Sequence, residues 1–120
     1  MSWSVRFYKE GGREPVKDFL VEELTGAERG RFVKRMQYLQ AKGLQLAAER
    51  PDILRKVKGE ENLFRLSMTK SPNNPRFLLC ARSGQQLILL HGFKEKSAKD
   101  YDRAIAVAAR RRDKLEEAPS

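Results

Sequence analysis

The sequence predicts a small α+β domain. A twisted antiparallel sheet is backed by an N-terminal helical hairpin and a C-terminal helix, in the order β-α-α-β-β-β-β-α. Three observations carry this. Apolar residues recur at helical spacing from Pro15 to Gly43 and again after Ser97. Between Pro51 and Phe93 they alternate or run on continuously, as strands do. Short turn-rich segments join those strands, which favours an antiparallel meander. At 120 residues, one domain is expected, long enough to bury a core without disulfides.

The elements follow in order. WSVRFY alternates Trp3, Val5 and Phe7 against Ser4, Arg6 and Tyr8, a short strand. GGRE breaks it, and Pro15 suits the first position of a helix, where its missing N–H costs nothing. Val16, Phe19, Leu20 and Leu24 then share one helical face. Thr25 and Glu28 have capping-box spacing and open a second helix. Phe32, Val33, Met36 and Leu39 line its apolar face, and Gly43 is its stop.

After Pro51 the period changes. ILRKVKG reads as a strand. NLFRLSMT sets Phe64, Leu66 and Met68 against Arg65, Ser67 and Thr69, the pattern of a half-exposed strand. KSPNNP is a turn, RFLLCAR a third strand and SGQ a tight turn. QLILLHGF is apolar on both faces for most of its length and is expected to lie inside the sheet. Ser97 and Asp100 cap a last helix that runs to about Glu116, with Tyr101, Ala104, Ile105 and Ala108 on one face.

The composition narrows the function. Twenty-five basic against 16 acidic residues give +9, with a pI near 10.0. The excess is spread evenly: 13 basic and 9 acidic groups in residues 1–60, 12 and 7 in residues 61–120. A uniformly basic domain attracts polyanions, nucleic acid above all, although an acidic protein partner fits equally. The single cysteine, Cys80, allows no internal disulfide, and no Cys/His spacing suggests zinc. A cytoplasmic location is expected. MSWSVRFYKEGG lacks the apolar core of a signal peptide, and no run approaches a membrane span.

The segments VKG-EENLFRLS, RFLLCARSGQQLILLHGF and KEKSAKDYDRAIAVA together resemble the HigB-like, phage-related branch of the RelE/ParE toxin superfamily. LLHGF followed by Lys94, Lys96 and Ser97 is the most specific part. The resemblance covers Ile53 to about Lys114; the N-terminal strand and hairpin agree in order only. It implies a small twisted antiparallel sheet backed by helices, and a bacterial or phage toxin that cleaves mRNA on the ribosome without metal or other cofactor. It also implies a neutralising antitoxin, a helix-turn-helix protein of the HigA type. Where the family strand commonly reads L-[YW]-E-L-R, this chain has Leu63-Phe64-Arg65-Leu66-Ser67, and Glu95 splits the basic pair.

Metal-free RNA cleavage uses the neighbouring 2′-OH as nucleophile. It needs a proton acceptor, a proton donor for the leaving 5′-oxygen, and positive charge on the pentavalent phosphate. Arginine suits the last task because its planar fork stays charged. Arg65 is expected on the exposed face of its strand, and Arg76 opens the next strand at the position of the family arginine. Lys94 and Lys96 lie where a strand ends and a helix has yet to begin. These four are the candidate catalytic residues. Lys56 and Lys58 share strand parity and could extend the basic surface. His91, the only histidine, shares parity with Leu87, Leu89 and Phe93, which suits packing as readily as RNA contact. Arg110, Arg111 and Arg112 form a helix end that is either solvated or RNA-binding. Two readings stay open beside the nuclease: a ParE-like toxin that binds gyrase without catalysis, and a non-toxic phage-encoded nucleic-acid-binding protein.

Overall fold

A computed structural model describes residues 2–68 and 71–117. Strand β1 spans Ser4–Phe7, and helices α1 and α2 span Pro15–Glu23 and Gly26–Lys42. A 3₁₀ turn at Gly43–Gln45 leads into the short α3, Leu46–Glu49. The meander comprises β2 (Leu54–Lys56), β3 (Phe64–Ser67), β4 (Pro75–Arg82) and β5 (Gln86–Lys94), and α4 spans Ala98–Glu117. Thr69, expected on the polar face of β3, lies outside the described residues. Among those described, no helix is long and apolar enough to cross a membrane.

The expected α+β fold is the one observed, with one difference in the sheet. The five strands lie in the order β1-β5-β4-β3-β2. The last four form the antiparallel meander, but β1 runs parallel to β5, pairing Ser4 with Gln86 and Phe7 with Leu89. The helical hairpin supplies the long crossover that parallel pairing demands. β5 therefore has a strand at each edge, and it is apolar on both faces because helices cover both sides of the sheet there.

Helices cover both faces rather than one. On the hairpin side, Leu66, Phe77, Leu79, Leu87 and Leu89 pack against Val16, Leu20, Phe32 and Leu39. On the α4 side, Leu63, Leu78, Cys80, Ile88 and Leu90 pack against Ala104 and Ala108. Each fully buried leucine contributes roughly 1.5–3 kcal/mol of transfer free energy. Two glycines allow close approach. A Cβ on Gly43, where φ is +55°, would fall 2.1 Å from the Trp3 ring. One on Gly92 would fall 2.6 Å from Phe19 Cδ2.

The capping box at Thr25 has a second purpose. Glu28 is 2% exposed. Its carboxylate accepts from the Thr25 N–H at 2.9 Å, from Asn73 Nδ2 at 2.7 Å and from Ser71 Oγ at 2.6 Å. The cap of α2 therefore holds the β3–β4 connection as well. Burial alone would raise the Glu28 pKa, but the hydrogen bonds from Ser71, Thr25 and Asn73 outweigh it and hold the carboxyl down to about 2.

Glu28→Gln should therefore lower stability at pH 7 by about 1–3 kcal/mol, measured by urea unfolding. The sign with pH follows from the depressed folded value. Glu28's contribution is complete above its ordinary value of 4.5 and fades as pH falls toward about 2. The gap between wild type and variant should close across that window.

Candidate functional site

Side chains on β5 do not keep one parity. β4 and β5 pair Leu78 with His91 but Leu79 with Leu89, so Leu90 is an extra residue, a β-bulge. Before it, Leu87 and Leu89 face the hairpin while Ile88 faces α4. After it, His91 and Phe93 face α4. The expectation that His91 shares a face with Leu87 and Leu89 is thus corrected; it keeps company only with Phe93.

The bulge aligns two rows of side chains on the α4 face, since directly paired residues share a face. Arg55 pairs with Arg65, Arg65 with Leu78, and Leu78 with His91. Ser67 pairs with Arg76, and Arg76 with Phe93. Arg65 and Arg76 therefore stand on neighbouring strands on one face. The Arg65 guanidinium lies 5.2 Å from the centre of the Tyr101 ring. Tyr101 stacks on Phe93 at 6.2 Å, and Phe93 on His91 at 6.1 Å. This aromatic column joins α4 to the end of β5 and fixes where Arg65 can lie.

Arg76 is only 19% exposed, and its Nε lies 3.4 Å from Glu95 Oε1. Its remaining contacts among the described residues are long: 3.4 Å to the Met68 carbonyl and 3.3 Å to the Pro75 carbonyl. Burial pushes the Arg76 pKa down; Glu95 opposes this and Arg65 adds to it. The guanidinium stays charged nonetheless. The Arg65 Nε is buried and has no hydrogen-bond partner among the described residues. Two guanidiniums thus stand on neighbouring strands of one face, and Arg76 makes only long contacts, an arrangement that could receive a phosphate.

The remaining expected residues are distributed elsewhere. Lys94 bonds Glu23 of α1 at 3.0 Å, and its strand parity opposite Phe93 puts it across the sheet from the arginines. Lys96 Nζ donates to the Pro72 carbonyl, and its backbone N–H donates to the Asp100 capping carboxylate at 2.8 Å. Lys56 pairs with Phe64, opposite in parity to Arg65, and its Nζ donates to the Glu60 carbonyl at 2.9 Å. It does not extend the basic surface around Arg65, and Lys58 lies in the turn beyond β2. Arg55 takes that place instead. Its position was hidden because strand pairing, unlike parity, is not written in one segment.

The arginine run on α4 divides by helical angle. Arg110 is exposed. Arg111 turns inward and donates to the Leu90 carbonyl at 2.7 Å, with His91 Nδ1 at 3.4 Å and the Tyr8 ring beneath it at 5.6 Å. Arg112 is buried and bonds Glu60 at 3.0 Å, the Glu61 carbonyl at 2.6 Å and Asp113 at 3.1 Å. Burial opposes its charge, and the hydrogen bonds it donates to Glu60 and Asp113 outweigh that and raise its pKa. Arg111 and Arg112 are therefore internal ties, not part of a solvated helix end. Burial, then Arg111, lowers the His91 pKa to about 4, so the imidazole is neutral at pH 7.

Residues 20–113 match the model of a family described as phage derived protein Gp49-like. No curated protein matches the chain. Among solved structures, the E. coli toxin RelE, as a double arginine-to-alanine mutant in the free state, aligns with a TM-score of 0.55 and 15% identity. The alignment covers 88% of this chain and 97% of that one. The likeness is one of fold.

Two outcomes follow from the ties around the bulge. Arg111→Ala strands the Leu90 carbonyl and should cost about 1–3 kcal/mol, read as a lower urea midpoint with an unchanged slope. In NMR titration the His91 ring should turn over near 4 rather than at 6.5. Because the folded value is the lower one, His91 subtracts stability as pH falls from 6.5 toward 4.

Proposed function

The chain belongs to the Gp49-like family of phage-derived proteins, and on that footing we propose that it is a RelE-type toxin of the HigB-like branch. Its activity is cleavage of mRNA on the ribosome, and a helix-turn-helix antitoxin neutralises it. The family match, the RelE fold and the +9 charge support a toxin that engages nucleic acid. The observation that carries the reaction is the placement of Arg65 and Arg76 on neighbouring strands of one sheet face.

In this reading the two guanidiniums hold the scissile phosphate and stabilise the charge that builds on it as the 2′-oxygen attacks. Tyr101 holds Arg65 in place. Arg55, exposed and next in the row, draws the RNA backbone toward the pair. Lys96 stands at the β5–α4 junction and contributes charge at the rim. Lys94, bonded to Glu23, steadies the strand end from the other side. No cofactor takes part.

Expression in bacteria should arrest growth and produce mRNA cuts at defined positions, mapped by primer extension. Arg76→Ala should relieve the arrest and slow cleavage by about 100-fold or more, the usual loss when a group stabilising transition-state charge is removed. An Arg76→Ala protein as toxic as wild type would remove Arg76 from the site. Growth arrest with intact mRNA and inhibited gyrase supercoiling would replace the nuclease with a gyrase-binding toxin.

A further inference from the structure

The arginine pair has a carboxylate beside it. Glu95 follows β5 at the parity of Phe93 and so faces α4 with Arg76 and Arg65. Its side chain is 26% exposed, and Oε1 is buried with no hydrogen-bond donor among the described residues, 3.4 Å from Arg76 Nε. Its backbone is clamped from both sides by one residue. The Glu95 N–H donates to the Asn74 carbonyl at 3.1 Å, and Asn74 Nδ2 donates to the Glu95 carbonyl at 2.9 Å. Asn74 itself holds a φ of +44°, and its loop is tied to Glu28 through Ser71 and Asn73. The carboxylate is thus held at a fixed place beside Arg76.

We propose that Glu95 is the general base of the RNA cleavage reaction, an inference that rests on the nuclease reading above. A phosphate seated on Arg65 and Arg76 brings the adjoining ribose to the Glu95 carboxylate. Glu95 takes the 2′-OH proton as the 2′-oxygen bonds to phosphorus. The bond from phosphorus to the 5′-oxygen breaks, its electron pair leaves with that oxygen, and the oxygen takes a proton from solvent. The products are a 2′,3′-cyclic phosphate and a 5′-hydroxyl. A carboxylate fits the task here better than His91, whose ring is packed against Phe93 with Nδ1 turned toward Arg111. The Arg76 guanidinium, 3.4 Å away, and the Asn74 clamp hold the carboxylate beside the phosphate site.

The test uses the full chain with programmed ribosomes and measures single-turnover mRNA cleavage between pH 4 and 8. Wild type, Glu95→Gln and Glu95→Asp are compared, with circular dichroism as a check of folding. Wild type should speed up as pH rises through the carboxylate range and then level off. Glu95→Gln should bind ribosomes as wild type does but cleave about 100-fold more slowly or worse, with that rise abolished. Glu95→Asp should recover part of the rate together with the pH-dependent limb. Cleavage by Glu95→Gln within a few-fold of wild type, or faster, overturns the base and makes Glu95 merely a counter-charge to Arg76. A wild type that cuts no RNA overturns the nuclease reading and the base together, so the two failures are told apart.

Discussion

The bulge at Leu90 is the constraint on which the candidate site depends. In an unbroken β5, Phe93 and the residue two beyond it would face the helical hairpin. The extra residue sends them to the α4 face, beside Arg76. A bulge leaves backbone groups without ladder partners, and an unpaired carbonyl beneath a helix is costly. Arg111 meets that need by donating to the Leu90 carbonyl. The same shift puts Gly92 against Phe19, where no side chain could fit. Packing on one face and polar satisfaction on the other thus agree on one register.

The β3–β4 connection is the second fixed point. It is short and rich in polar residues, the kind of segment that usually wanders. Here it is held at several places. Glu28 takes Ser71 and Asn73, Lys96 takes the Pro72 carbonyl, and Asn74 joins the backbone of Glu95. The end of the meander is thereby connected to the start of α2 and to the start of α4. The buried carboxylate at its centre is satisfied by neutral donors rather than by an opposite charge, so no cation is diverted from the arginine face.

Much of the fold was legible because local signals agreed with one another. Pro15, the Thr25–Glu28 box, Gly43 and the Ser97–Asp100 cap mark helix ends by chemistry that acts within a few residues. Alternation in residues 63–68 and the continuous run in β5 reflect burial directly. What was hidden depends on distant parts of the chain. The parallel pairing of β1 with β5 has no local signature. A bulge looks like ordinary strand in one dimension, which is why parity misassigned His91. The arginine run on α4 looked uniform, yet the rotation of about 100° per helical residue leaves Arg110 in solvent and carries Arg111 and Arg112 inward to Leu90 and Glu60. Arg65 and Arg76 were legible as candidates, but their common face required the register.

The parallel pairing also sets an order of events in synthesis. Ser4 leaves the ribosome well ahead of Gln86 but cannot find its place until Gln86 has followed. The hairpin can form early, since its caps and contacts are local, whereas the sheet that it covers closes late. The arginine face needs still more chain, because Tyr101 and Arg111 come from the final helix. A growing chain therefore carries no assembled arginine face until the residues of α4 have been added.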